Sequence, residues 1–244
     1  MNIVITGATS GIGKELARHY ARHGTTLGLI GRRLVLLDQV AHQCQERDAQ
    51  VISEAVDVCD ATAMRHYAER FVEQAGGIDV VVANAGIGAP DRVTSGDAAY
   101  HTRLFEVNVI GLLNTLLPFI PQMLQQRQGQ LVAISSVAGF RAIPGSTTYA
   151  ATKAAVRTLM EGYGWALRPH GISVTTINPG FVATALTAEN AFPMPFLQPA
   201  DVAARKIARA IARRRRVYTF PWPMAVVARL LPCIPGAILR RTRG

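Results

Sequence analysis

Short runs of β-branched and aliphatic residues recur along this chain, and between them apolar residues return every three or four positions. The runs are Asn2 to Thr6, Thr26 to Ile30, Val51 to Val56, Ile78 to Ala83, Gln130 to Ser135 and Ile172 to Ile177, with Val217 to Phe220 as a last edge strand. Most are apolar at consecutive positions, the mark of strands buried on both faces of a parallel sheet. Helical patterns cover Gly11 to about His23, where Gly24 gives a stop signal, and about 34–48, 62–75, 97–126, 148–168 and 199–213. This alternation predicts an α/β fold, a doubly wound parallel sheet of about seven strands with helices on both faces. Residues 1–221 form one expected domain and 222–244 a C-terminal extension. The stretch 184–199 is long for a connection and carries Phe192, Met194, Phe196 and Leu197 among its prolines, the composition of a lid over an apolar ligand.

Composition changes the picture in two places. At 244 residues, 49% hydrophobic and 17% charged, the chain can bury an ordinary core, which excludes disordered, collagen-like and disulfide-scaffold classes. Cys44, Cys59 and Cys233 form no CxxC pair and are odd in number, and the opening Met1-Asn2-Ile3-Val4-Ile5-Thr6 lacks a signal-peptide pattern, so a cytoplasmic protein is expected. The net charge of +10 is not spread evenly. Residues 201–244 hold eleven Lys+Arg against the single acid Asp201, while the rest of the chain is neutral. Any polyanion partner would therefore meet the tail. From Val217 to Leu239 there is one charge, but Pro221, Pro223, Pro232 and Pro235 argue against a spanning helix. An anionic membrane surface, a partner subunit and the chain's own domain all remain open as the tail's neighbour. Nucleic acid is disfavoured because the basic residues are split around an apolar stretch.

Candidate chemistry begins at the end of the first run. Thr6-Gly7-Ala8-Thr9-Ser10-Gly11-Ile12-Gly13 is a glycine-rich turn between a strand and a helix, where backbone can approach a pyrophosphate at a helix N-terminus. Tyr149 and Lys153 are four residues apart in a helical segment and so share a face. A neighbouring ammonium favours the phenolate, so Lys153 is expected to lower the Tyr149 pKa towards the working range. Ser136 follows a buried run, at the carboxyl end of a strand. Asn108 is polar within a packing helix, which suits a buried amide satisfying backbone groups. The six histidines, including His19 and His23 at helical spacing, suggest no metal site.

These positions in register resemble the short-chain dehydrogenase/reductase family, whose TGxxxGxG turn corresponds to Thr6, Gly7, Gly11 and Gly13. The likeness continues through Asp57, Asn84-Ala85-Gly86, Asn108, Ser136, Tyr149, Lys153 and Pro179-Gly180, over about residues 1–184. Ala83 stands where the family often has a first asparagine. The resemblance implies a Rossmann-type dinucleotide-binding catalytic domain. It also implies hydride transfer between a nicotinamide and a carbonyl or alcohol. Ser136 would hold the substrate oxygen, selected over Ser135 by its 13-residue spacing to Tyr149. Tyr149 would move the proton, Lys153 would assist it and hold the ribose, and Asn108 would join a water-linked relay. The implied coenzyme contacts are Gly7, Ser10, Gly11, Ile12, Gly13, Asp57, Val58, Asn84, Ala85, Gly86, Tyr149, Lys153, Pro179, Gly180, Val182 and Thr184. The second strand ends in Arg32 and Arg33, with no acid to accept a ribose hydroxyl, so NADP(H) is preferred over NAD(H), Arg32 more firmly than Arg33. A homodimer or homotetramer is expected through the helices at 97–126 and 148–168, with Leu112, Leu113, Leu116 and Leu117 as the apolar series. A non-catalytic dinucleotide sensor and an NAD-dependent dehydrogenase of a small polar alcohol are the alternatives.

Overall fold

The computed structural model describes residues 1–88, 93–142, 145–188 and 193–233. Six strands, β1 (Asn2–Thr6), β2 (Thr26–Gly31), β3 (Gln50–Ala55), β4 (Val80–Ala83), β5 (Gly129–Ile134) and β6 (Ile172–Pro179), join β9 (Val217–Phe220) in one sheet. Its order is β3-β2-β1-β4-β5-β6-β9 and every pairing is parallel. A separate pair joins β7 (Val182–Ala183), just before the stretch expected to be a lid, to β8 (Gln198–Pro199) at the end of that stretch.

Strand pleating sorts the apolar runs into two cores. Ile3 and Ile5 of β1, Val80 and Val82 of β4, and Val132 and Ile134 of β5 face α1 (Gly11–Tyr20), α2 (Leu34–Gln45) and α9 (Ala200–Ala212). The alternate residues Val4, Val81, Ala83, Leu131 and Ala133 face the opposite layer. There α3 (Ala61–Ala75) supplies Met64, Tyr67 and Phe71, and α7 (Thr147–Leu167) supplies Val156 and Met160. Side chains buried on both faces explain the unbroken apolar runs, each large one contributing about 1.5–3 kcal/mol. β3, at the sheet edge, has no fully buried residue.

Two expected helices differ in detail. α1 stops at Tyr20 because Ala21 turns extended, and Gly24 instead takes a left-handed conformation (φ 77°) in the turn towards β2. The 97–126 helix is one continuous path in several pieces. α4 (Ala98–Phe105) passes through a π turn (Glu106–Ile110) into α5 (Gly111–Leu116), then a 3₁₀ turn (Leu117–Phe119) and α6 (Ile120–Gln126). Pro118 and Pro121 lack the N–H that a regular α-helix needs at those positions. Leu112 and Leu116 are core residues and Leu113 packs against the core, which corrects their assignment to a subunit interface. On this path the outward apolar residues are instead Phe105, Ile110, Leu117 and Leu124.

After the short helix α8 (Ala185–Ala188) and α9, the chain forms β9 and then α10 (Trp222–Leu230). Met224 and Ala228 of α10 are buried, and Arg141 donates to the carbonyls of Leu231 (3.2 Å) and Pro232 (2.7 Å). Residues 222–233 therefore fold back on their own domain. Phe192, and the tail from residue 234 onward, lie outside the described residues.

Candidate active site

In this strand order the chain reverses direction across the sheet between β1 and β4, and ligands of doubly wound sheets bind beyond the strand ends at such a point. The glycine-rich turn leaves β1 there and is fastened to the end of β4. Thr6 Oγ1 accepts from the backbone N–H groups of Asn84 and Ala85, both at 3.2 Å, and Asn84 Nδ2 donates to the Thr6 carbonyl at 2.9 Å. A Cβ on Gly13 would lie 2.3 Å from the Gly7 carbonyl oxygen and 2.5 Å from Asn84 Nδ2. Gly7, at φ 66°, takes the left-handed turn that brings that carbonyl in. The glycines are thus required first by the protein's own close packing. Gly11 meets the Thr184 side chain in the same way, which brings the segment after β6 to the turn.

The turn suits a phosphate. Ser10, at the N-cap of α1, makes no side-chain capping bond. Its Oγ accepts from Arg33 Nη2 at 2.9 Å, and the same guanidinium reaches Thr9 Oγ1 at 2.7 Å. The first N–H groups of α1, those of Gly11, Ile12 and Gly13, therefore lack a side-chain cap and carry the positive end of the helix dipole. Arg33 thus borders the phosphate turn while also starting α2. Arg32 is 58% exposed, with Nη1 3.5 Å from Asp57 Oδ2. Burial acts to raise the Asp57 pKa, but hydrogen bonds from Cys59 and Arg103 outweigh it and hold the carboxyl below its usual range. Val58 is buried against Gly111 of the long helix, and its carbonyl accepts from Asn114.

The second half of the site lies beyond β5. Ser135 is buried, and its hydroxyl donates to the Lys153 carbonyl at 2.9 Å. Ser136 starts the 3₁₀ turn Val137–Phe140, accepts from the Ala138 N–H at 3.1 Å and hydrogen-bonds Tyr149. Gly139 lets this turn lie directly on α7, since a Cβ there would be 2.7 Å from the Lys153 carbonyl carbon. Lys153 is buried, and its Nζ donates to the Ile134 carbonyl at 3.0 Å and sits 5.7 Å from the centre of the Tyr149 ring. Burial lowers the Lys153 pKa to about 8.

Tyr149 departs from the sequence expectation: burial raises its pKa, and the Ser136 hydrogen bond opposes that only in part. The Lys153 ammonium is turned to a backbone carbonyl, so among the protein's own groups it does not bring the phenol down. Asn108 lies in the π turn, where its amide makes three hydrogen bonds. Oδ1 accepts from the Ile87 N–H at 2.8 Å, and Nδ2 donates to the Ile87 carbonyl (2.9 Å) and Thr152 Oγ1 (3.1 Å). Gly86 lies between, for a Cβ there would be 3.1 Å from Asn108 Oδ1 and 3.5 Å from Lys153 Nζ.

The remaining predicted positions border the same end of the sheet. Gly180 follows Pro179, and its N–H donates to the Phe220 carbonyl at 2.7 Å. Val182 is buried in the core. Met194 is half-buried, while Phe196 and Leu197 are exposed. Three residues absent from the sequence reading complete the surroundings. Leu186 of α8 approaches Gly88 beside Tyr149, Met224 of α10 abuts Gly180, and Arg103 of α4 pairs with Asp57. None sits in a local motif, so only the fold brings them in.

The family model described as short chain dehydrogenase matches residues 1–192. An uncharacterized oxidoreductase of Myxococcus xanthus is 37% identical over 235 residues, covering 96% of this chain and 93% of that protein. Among solved structures, a 3-ketoacyl-ACP reductase from Sinorhizobium meliloti superposes with a TM-score of 0.83 at 28% identity, covering 93% of this chain and 100% of that one. An alcohol dehydrogenase from the archaeon Thermococcus sibiricus, complexed with 5-hydroxy-NADP, gives 0.80 at 29% identity, covering 90% and 94%.

Proposed function

The chain belongs to the short-chain dehydrogenase/reductase family, and on that premise we propose an NADP(H)-dependent oxidoreductase that reduces a hydrophobic carbonyl compound to its alcohol. The observation that carries this reading is the meeting of Ser136, Tyr149 and Lys153 beyond β5, at the same end of the sheet as the uncapped turn of α1. Gly7 and the N–H groups of Gly11, Ile12 and Gly13 would hold the coenzyme phosphates, with Asn84, Ala85, Gly86, Pro179, Gly180 and Thr184 around the remainder. The coenzyme supplies the hydride. Ser136 fixes the substrate oxygen and Tyr149 gives it a proton. Burial raises the pKa of the phenol, so Tyr149 carries the proton that a donor needs. Lys153 would hold the coenzyme ribose, the role the family resemblance gives it, and Asn108 keeps the Ile87 segment beside it. The exposed Leu186, Phe196 and Leu197 support an apolar substrate.

The coenzyme preference rests on Arg32 and Arg33 at the end of β2, two guanidiniums where an acid would repel a 2′-phosphate. Coenzyme consumption over a panel of aliphatic and aromatic carbonyls should proceed with NADPH in preference to NADH. Arg32→Glu should weaken NADPH by about tenfold or more and NADH by less than about twofold. Equal losses would remove the NADP(H) preference, and no turnover with any carbonyl would favour a non-catalytic sensor.

A second reading concerns the tail. Trp222, Val226 and Leu230 form an exposed stripe at helical spacing on α10, and no acid follows Asp201. These features support peripheral attachment to an anionic membrane surface. Flotation with anionic vesicles at low salt, lost at high salt, is the expected result. Failure to float at low salt removes the membrane reading.

A further inference from the structure

We propose that Arg103 determines coenzyme preference from a distance, by occupying the Asp57 carboxylate so that Arg32 stays available to a 2′-phosphate. The inference rests on the NADP(H) reading and names a positioning residue for it. Asp57 lies between two guanidiniums that compete for the same oxygen. Arg103 Nη2 is 3.1 Å from Oδ2, within hydrogen-bond range, while Arg32 Nη1 is 3.5 Å away. The other carboxylate oxygen accepts from the Cys59 N–H at 3.0 Å. Arg103 is anchored in turn by Glu106, one turn along at 3.2 Å, at the start of the π turn.

Among the described residues, Arg33 is bonded to Thr9 and Ser10, Arg103 to Asp57 and Glu106, and Arg32 has only the looser contact to Asp57. Three guanidiniums against two carboxylates leave one positive charge; without Arg103 none remains. A bare Asp57 would draw Arg32 into a short ion pair and leave no guanidinium available to the coenzyme. That change penalises a phosphate dianion far more than a ribose hydroxyl.

The test is direct binding of NADPH and NADH to the full chain, followed by tryptophan fluorescence or calorimetry, with circular dichroism to verify folding. Arg103 is 40% exposed, so its replacement by Gln is compatible with the fold. R103Q should lower the NADPH-over-NADH preference by about five- to tenfold, mainly through NADPH. Adding Asp57→Asn to R103Q should return the ratio to within about twofold of wild type, because Arg32 is no longer captured. Adding Glu106→Gln instead restores the same net charge but leaves Asp57 bare, and the ratio should stay low. An unchanged ratio in R103Q overturns the proposal, as does equal recovery in both double variants, which would mean a general field effect. A wild-type protein that binds both coenzymes equally would overturn the NADP(H) reading itself, whereas a wild-type preference retained in R103Q would overturn only the role of Arg103.

Discussion

Lys153 carries its ammonium where water is excluded, with the Ile134 carbonyl as its hydrogen-bond partner. Its pKa, lowered from 10.5 to about 8, makes the folded state give up a proton that the unfolded chain still holds between those values. Below pH 8 both states hold the proton and the burial cost is constant; above it, stability attributable to this residue rises with pH. Relative to Lys153→Met, the wild type should therefore gain about 3 kcal/mol between pH 8 and 10.5. Urea unfolding of both proteins at the two pH values measures this, and a pH-independent difference would contradict it. At this scale the sequence was informative wherever chemistry is local. Tyr149 and Lys153 share a face because they are four apart, and the glycines of the turn announce a close approach. Arg103 was invisible because its partner Asp57 lies on another element, and the raised Tyr149 pKa because burial is a property of the fold.

The strands and helices were legible from apolar runs and 3.6-residue periodicity, and their ends shifted where capping or proline intervened. The long helix was not legible in detail, since nothing in its hydrophobic pattern marks the π turn that puts Asn108 opposite Ile87. That turn trades regular hydrogen bonding for a side chain that satisfies both polar backbone groups of Ile87. Asn108→Ala should leave them unpaired and lower stability by about 2–3 kcal/mol in chemical denaturation. A loss below about 0.5 kcal/mol would mean that water replaces the amide at little cost. The stretch 184–199 likewise carries more structure than its composition implied, with α8 starting at its first turn and β8 at its end.

Across the whole molecule, the outward apolar residues Phe105, Ile110, Leu117 and Leu124 lie along the 98–126 path, and Trp165 is exposed on α7. Members of this family are often oligomeric, and these side chains support a homodimer through that layer. Light scattering should give at least a dimer, and Ile110→Glu with Leu117→Glu should shift it towards monomer without unfolding; a wild-type monomer across a wide concentration range would contradict this. The central claim concerns the proton at Tyr149. Turnover and NADPH binding measured side by side for wild type and Tyr149→Phe test it most directly, because the substitution removes one hydroxyl and leaves the ring in place. The account predicts a turnover loss of ~100-fold or more with NADPH affinity nearly unchanged. Near-wild-type turnover in the phenylalanine variant would contradict it.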